Sequence, residues 1–118
     1  MNVQQFVLNV NSEDPDALVR FYQDIVGLEA RSDLSPGALA AGTAILIVEG
    51  HSDVKGAAKE PQRLLLDFVV DDAIAEQKRL KSAGVRFVRD AYEEPGVGVF
   101  ATFADPDGNL CQLVELRL

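Results

Sequence analysis

Phe103-Ala104-Asp105-Pro106-Asp107-Gly108-Asn109-Leu110-Cys111-Gln112-Leu113-Val114-Glu115 reads as two strands joined by a tight turn. Pro106 presets φ for the first turn position, Asp107 is placed to hydrogen-bond back to the turn backbone, and Gly108 supplies the positive φ that closes such a loop. The segment therefore predicts a β-hairpin with strands near 98 to 104 and 110 to 116. Because side chains alternate faces along a strand, Leu110, Gln112 and Val114 share one face and Glu115 lies on the other, as a rim or surface charge.

Upstream of the hairpin, Leu64-Leu65-Leu66-Asp67-Phe68-Val69-Val70 reads as a strand. Asp71 or Asp72 caps a helix running through Ala83, Gly84 stops it, and a further strand is expected near 85 to 89. The run from Arg89 to Gly96 reads as a loop carrying the aromatic Tyr92 beside acids. The first half has the same order. Residues 5 to 10 alternate, and Asp14 with Pro15 opens an amphipathic helix through Leu18, Phe21, Tyr22, Ile25 and Val26 that ends at Gly27. Strands near 28 to 33, 38 to 41 and 44 to 49 follow, separated by Ser35-Pro36-Gly37 and Ala41-Gly42-Thr43. Superposing the halves pairs Leu8 with Phe68, Val10 with Val70 and Gly27 with Gly84, a weak internal repeat of βαβββ order. Between them, residues 50 to 61 are polar and rich in small residues, which marks a linker. His51, the chain's one histidine, reads there as a solvated loop residue.

Composition narrows the function classes. A hydrophobic fraction of 47% over 118 residues is enough for the core of one globular domain. With 19 acidic against 11 basic residues and a net charge of −8, a nucleic-acid surface is not expected, whereas a cationic small ligand suits the field. No apolar run approaches the length of a membrane span and no secretory pattern opens the chain, so a cytoplasmic location is expected. Cys111 is the sole cysteine, so no intramolecular disulfide can form; its apolar neighbours make it a buried structural thiol.

The hairpin, together with Phe21-Tyr22-Gln23-Asp24-Ile25-Val26-Gly27-Leu28, resembles the vicinal oxygen chelate (VOC) superfamily: glyoxalases, bleomycin-resistance proteins and extradiol dioxygenases. The resemblance spans nearly the whole chain. It implies an α+β fold of two βαβββ modules forming a curved mixed sheet, as a single domain over residues 1–118 with modules at 1–58 and 59–118, assembled as a homodimer. In such modules each half-sheet curls into a cup that holds the ligand, with helices on the outer faces. One architecture of this kind hosts isomerisation, ring cleavage, group transfer and plain binding, so the reaction does not follow from it.

Four positions match the family's metal ligands: Gln5, Ile47, Leu65 and Gln112. Most metal-using members carry a glutamate four residues after the turn glycine, where this chain has Gln112. Two amides and two aliphatic side chains do not make a divalent metal site, so no metal and no other cofactor is expected. The cup-facing set relevant to a ligand is Gln5, Val7, Asn9, Ile47 and Glu49 from the first half. The second half adds Leu65, Asp67, Gln112 and Val114, with Tyr92 able to stack on or cover a ligand. Asp67, between apolar neighbours, is the candidate for acid–base work; alternatively it forms an ion pair with an arginine such as Arg63 or Arg89, or faces solvent in an open cup. The leading expectation is a metal-free protein that sequesters a small organic ligand. The alternative is an enzyme: a metal-dependent glyoxalase-like lyase, a dioxygenase, or a metal-free isomerase using Asp67 as base.

Overall fold

The computed structural model describes residues 1–117, so the far end of the second expected module, at Leu118, lies outside the described residues. The chain forms two compact units, Met1–Gly56 and the remainder from Ala57. Each carries a βαβββ sequence of elements around a four-stranded mixed sheet, giving an α+β fold of two such modules.

The first unit runs β1 (Val7–Ser12), α1 (Pro15–Arg20), β2 (Glu29–Ala30), β3 (Ala38–Ala41) and β4 (Ala44–Gly50). Its sheet has the order β1-β4-β3-β2, with β1 and β4 parallel and the other pairs antiparallel. The Asp14 carboxylate caps α1 by accepting from the Ala17 N–H at 3.2 Å, with Pro15 at the start where a missing N–H costs nothing. The expected single helix is in fact two pieces. After Arg20 the chain widens into a π-helical turn, Phe21–Val26, closed by Gly27 at φ 95° with the N–H groups of Gly27 and Leu28 both donating to the Tyr22 carbonyl. The widening buries Tyr22 completely and Phe21 nearly so, with the two rings edge to face at 5.2 Å. Leu18, Leu39, Leu46 and Val48 complete this core.

The second unit opens with a short 3-10 turn, Pro61–Arg63, and continues β5 (Leu65–Val69), α2 (Ala73–Ser82), β6 (Phe87–Glu94), β7 (Gly98–Ala104) and β8 (Leu110–Leu116). The order is β5-β8-β7-β6, again with one parallel pair, β5 and β8. Asp72, of the two expected caps, accepts from the Ala75 N–H. Across the sheet from it, Glu115 reaches the start of α2 and accepts from the Ala73 N–H at 3.0 Å while its other oxygen takes the Arg117 guanidinium. Those two contacts, the arginine first, hold its carboxyl below the usual range. The core on this side is Phe103, Ala101, Cys111 and Leu113 under Leu80 and Ala73. Among the described residues no helix is long and apolar enough to cross a membrane.

Three expectations are corrected here. The first strand begins at Val7 rather than residue 5, because the Gln5 amide donates to the carbonyls of Phe6 and Thr43 instead of extending the ladder. The second strand is reduced to Glu29–Ala30: the Arg31 N–H still donates to the Ala38 carbonyl, but its own carbonyl takes the Leu34 N–H and its guanidinium clasps Asp33 in a double hydrogen bond, so the chain turns there. The turn of the last hairpin is organised by Asp105, not Asp107. The Asp105 side chain, only 5% exposed, accepts from the N–H groups of Asp107 and Asn109 and from the Asn109 amide at 2.8 to 2.9 Å. Gly108, at φ 79°, donates to the Asp105 carbonyl. Asp107 instead offers its backbone carbonyl to Ala58, tying the linker's end to the loop.

Asp105→Ala leaves three donors without their acceptor in a part-buried loop, so we expect it to cost about 2–4 kcal/mol in urea denaturation, with Asp105→Asn intermediate. A loss below about 0.5 kcal/mol would mean that the backbone bonds alone hold the turn.

Candidate functional site

Register decides which side chains share a surface, because paired residues on adjacent strands point the same way. In the second sheet Asp67 pairs with Gln112, Gln112 with Thr102, and Thr102 with Arg89. These four form a polar row running across all four strands. The adjoining row is Val69, Val114, Phe100 and Tyr92, and Leu65 sits beside Leu110 on the other flank. All lie on the face opposite Phe103, Cys111 and Leu113, hence opposite α2. On the β5 side the face is open, with Leu65 44% and Val69 64% exposed.

Asp67 is the chemically unusual member. Among the described residues its carboxylate has no hydrogen-bond or ion-pair partner, and the same holds for the Gln112 amide. Arg63 is engaged by Glu60 at 2.6 Å, and Arg89 lies over the Tyr92 ring, so neither forms the alternative ion pair with Asp67. Partial loss of solvent raises the Asp67 carboxyl above its ordinary value.

Tyr92 is not a loop residue. It lies within β6, which runs to Glu94 before the Pro95-Gly96 turn, with the Val97 N–H bonded to the Glu94 carbonyl. The acidic, non-alternating run from Arg89 hid the strand because two register shifts, between Phe87 and Arg89 and between Arg89 and Tyr92, break the period of two. The Tyr92 ring stacks with Phe100 at 5.9 Å between centroids. Arg89, Thr102 and Phe100 are therefore residues of this candidate face that sequence reasoning missed; Thr102 and Phe100 follow from the unbroken pairing of β7 with β8, whereas only knowledge of the bulges would have found Arg89.

In the first unit, Val7 pairs with Ile45 and Asn9 with Ile47. The Asn9 amide donates to Glu49 at 3.4 Å, a long bond between exposed groups. Leu8 pairs with Leu46 and Phe68 with Leu113, so by the repeat the counterpart of Gln112 in the first sheet is Ile45. Gln5 belongs to this unit, ahead of β1, with its amide donating to backbone; it is not part of the Asp67–Gln112 row. His51 is exposed and its Nδ1 accepts from the Asp53 N–H in a local turn.

A divalent metal, as the family's chelating members use, does not fit these donors. Ile47, or Ile45 in its place, and Leu65 offer none, Gln5 is engaged, and Gln112 stands next to the single carboxylate of Asp67. Among the described residues no group of three or more His, Cys, Asp or Glu side chains is arranged to hold an ion.

A family model described as a glyoxalase-like domain matches residues 5–114. Over 110 residues the chain is 28% identical to the Mycobacterium tuberculosis (strain CDC 1551 / Oshkosh) protein named "Putative glyoxylase CFP32", a match covering 88% of this chain and 41% of that one. The chain thus spans about two fifths of the length of the curated relatives it matches. TnmS3, an antibiotic binding protein from Streptomyces sp. CB03234, has a TM-score of 0.78 at 25% identity, with 99% of each chain covered. A glyoxalase/bleomycin resistance protein/dioxygenase family enzyme from Burkholderia phytofirmans PsJN has a TM-score of 0.76 at 21% identity, covering 94% of this chain and 97% of that one, a likeness of fold alone.

The raised carboxyl of Asp67 gives a signed stability prediction. A folded pKa above the unfolded value of about 3.9 means that the folded state holds the proton more tightly. That contribution is full below the unfolded value and is lost as pH rises through the folded one. At pH 7 the charged group therefore costs stability, and Asp67→Asn should melt at the same or a higher temperature than the wild type at pH 7, the difference shrinking on acidification. A lower melting temperature at pH 7 would reveal a stabilising partner for the carboxylate.

Proposed function

The chain belongs to the glyoxalase-like domain family of the vicinal oxygen chelate superfamily, and from that premise we propose that it binds a small organic ligand on the open face of its second sheet without a catalytic metal. The observation that carries this reading is the unpartnered Asp67 carboxylate beside the unpartnered Gln112 amide on a face otherwise lined by Leu65, Val69 and Val114. A few polar groups on an apolar surface orient a ligand, and a carboxylate lacking a protein partner favours one that brings a cation or a donor. The net charge of −8 adds attraction for a cation. TnmS3, with the same fold, is an antibiotic binding protein, which supports sequestration as the mode of action. We further propose a cytoplasmic location and a homodimeric assembly.

The partly desolvated Asp67 carboxyl favours one rival, a metal-free isomerase in which Asp67 is the base. Turnover that disappears in Asp67→Asn while binding persists would select the rival.

Two measurements test the main reading. Biphenyl-4-ylmethylammonium, an aromatic cation, should bind saturably by isothermal titration calorimetry, and Asp67→Asn should weaken it about ten-fold or more, the scale of one charge-assisted hydrogen bond. Unchanged binding in the variant would remove Asp67 from the site. Protein purified without added metal should contain no stoichiometric Zn, Ni, Mn or Fe, and chelator should leave its melting temperature unmoved; a bound metal normally contributes to stability, so a drop would disprove the metal-free reading.

A further inference from the structure

The polar row ends at β6 in an arginine whose position needs explanation. Arg89 and Tyr92 are three residues apart, so in a regular strand they would point to opposite faces. The register shift between them adds a residue opposite β7 and brings both to the side of Thr102 and Phe100. Helix α2 holds this shift in place, because the Ala91 N–H donates to the Gln77 side-chain oxygen. The Arg89 guanidinium then sits 3.6 Å from the centroid of the Tyr92 ring, and Tyr92 in turn stacks on Phe100.

What the guanidinium lacks is an anion. The acids flanking it in sequence are already engaged, Asp90 by Lys81 at 2.7 Å and Glu93 by Arg117 at 3.5 Å. Among the described residues no carboxylate pairs with Arg89. A planar guanidinium presents a fork of donors that matches a carboxylate bidentately, and stacking on an aromatic face pre-orders it without using those donors. The far end of the same row is Asp67, three inter-strand spacings away, about 14 Å. The row thus has an unpaired negative end, an unpaired positive end and Gln112 and Thr102 between them, with the Phe100–Tyr92 pair alongside in the adjoining row.

Resting on the reading of this face as the ligand site, we infer that the ligand class is a flat, elongated aromatic compound with an amine or other donor at one end and a carboxylate at the other, the carboxylate being taken by Arg89. Asp67 receives the donor end, and the rings lie along Phe100 and Tyr92, where stacking adds to affinity. Charge complementarity at both ends fixes the direction in which the molecule lies.

The test compares two compounds that differ only in the acid: biphenyl-4-ylmethylammonium and 4'-(aminomethyl)biphenyl-4-carboxylate. The wild-type chain should bind the carboxylate compound about ten-fold or more tightly than the simple amine. Arg89→Gln should abolish that gain, so that the two compounds bind alike, and Arg89→Lys should recover part of it. Circular dichroism and melting temperature check that the variants fold; should Arg89→Gln unfold, the comparison of the two compounds on the wild type decides alone. A carboxylate compound that binds no better than the amine, or an Arg89→Gln that weakens both by the same factor, overturns the inference while the binding face stands. If the simple amine does not bind at all, the reading of the face falls, and this inference with it.

Discussion

One carboxylate sets the register on which the open face of the second sheet depends. Asp105 gathers three donors of its own loop at 2.8 to 2.9 Å and so holds the turn between β7 and β8 at one length. With that length given, Thr102 stands opposite Gln112 and Phe103 opposite Cys111. A slip of one residue would send Gln112 to the helix side and Cys111 to the open side, burying an amide and exposing a thiol that is now wholly enclosed. The parallel β5 inherits its place from β8, so the neighbourhood of Asp67 and Gln112 is a consequence of a turn several residues away.

Most of the fold could be read from punctuation and period. Asp14 with Pro15 and Asp72 mark helix starts that the structure keeps, Gly27 and Gly84 take the positive φ their positions imply, and the strands at 38–41, 98–104 and 110–116 are as the alternation and turn signals predict. Where reading failed, a local bond competed with the pattern. Gln5 satisfies the Thr43 carbonyl rather than continuing a strand, Arg31 prefers Asp33, and the helix widens at Phe21 to enclose two rings, none of which has a periodic signature. The candidate site divides in the same way. Asp67, Gln112, Val114 and Phe100 follow from parity alone, while Arg89 and Tyr92 depend on bulges that parity does not encode.

Helix and sheet in the second unit are joined by polar bonds at the start and the middle of α2 as well as by Leu80 and Phe103. Glu115 accepts from the first turn at Ala73, and Gln77, one turn further on, takes the Ala91 N–H of the bulge. The first bond relates the last strand to the helix; the second relates the helix to the aim of Arg89 and Tyr92. The open face and the covered face of this sheet are therefore not independent surfaces, since a shift of α2 would move the Gln77 acceptor that keeps the bulge in shape.

The irregularity of β6 also bears on how the sheet meets other chains. An edge strand with an unbroken ladder is a template on which a foreign strand can grow, and long flat edges are where soluble proteins begin to form fibrils. Of the two edges here, β5 keeps an unbroken register from Leu65 to Val69, whereas β6 is interrupted twice and carries Asp90, Glu93 and Glu94 along its length. The bulges that bring Arg89 and Tyr92 to one face thus also spoil this edge as a nucleus for cross-β growth, and any strand-by-strand accretion on the second sheet would have to start from the opposite side.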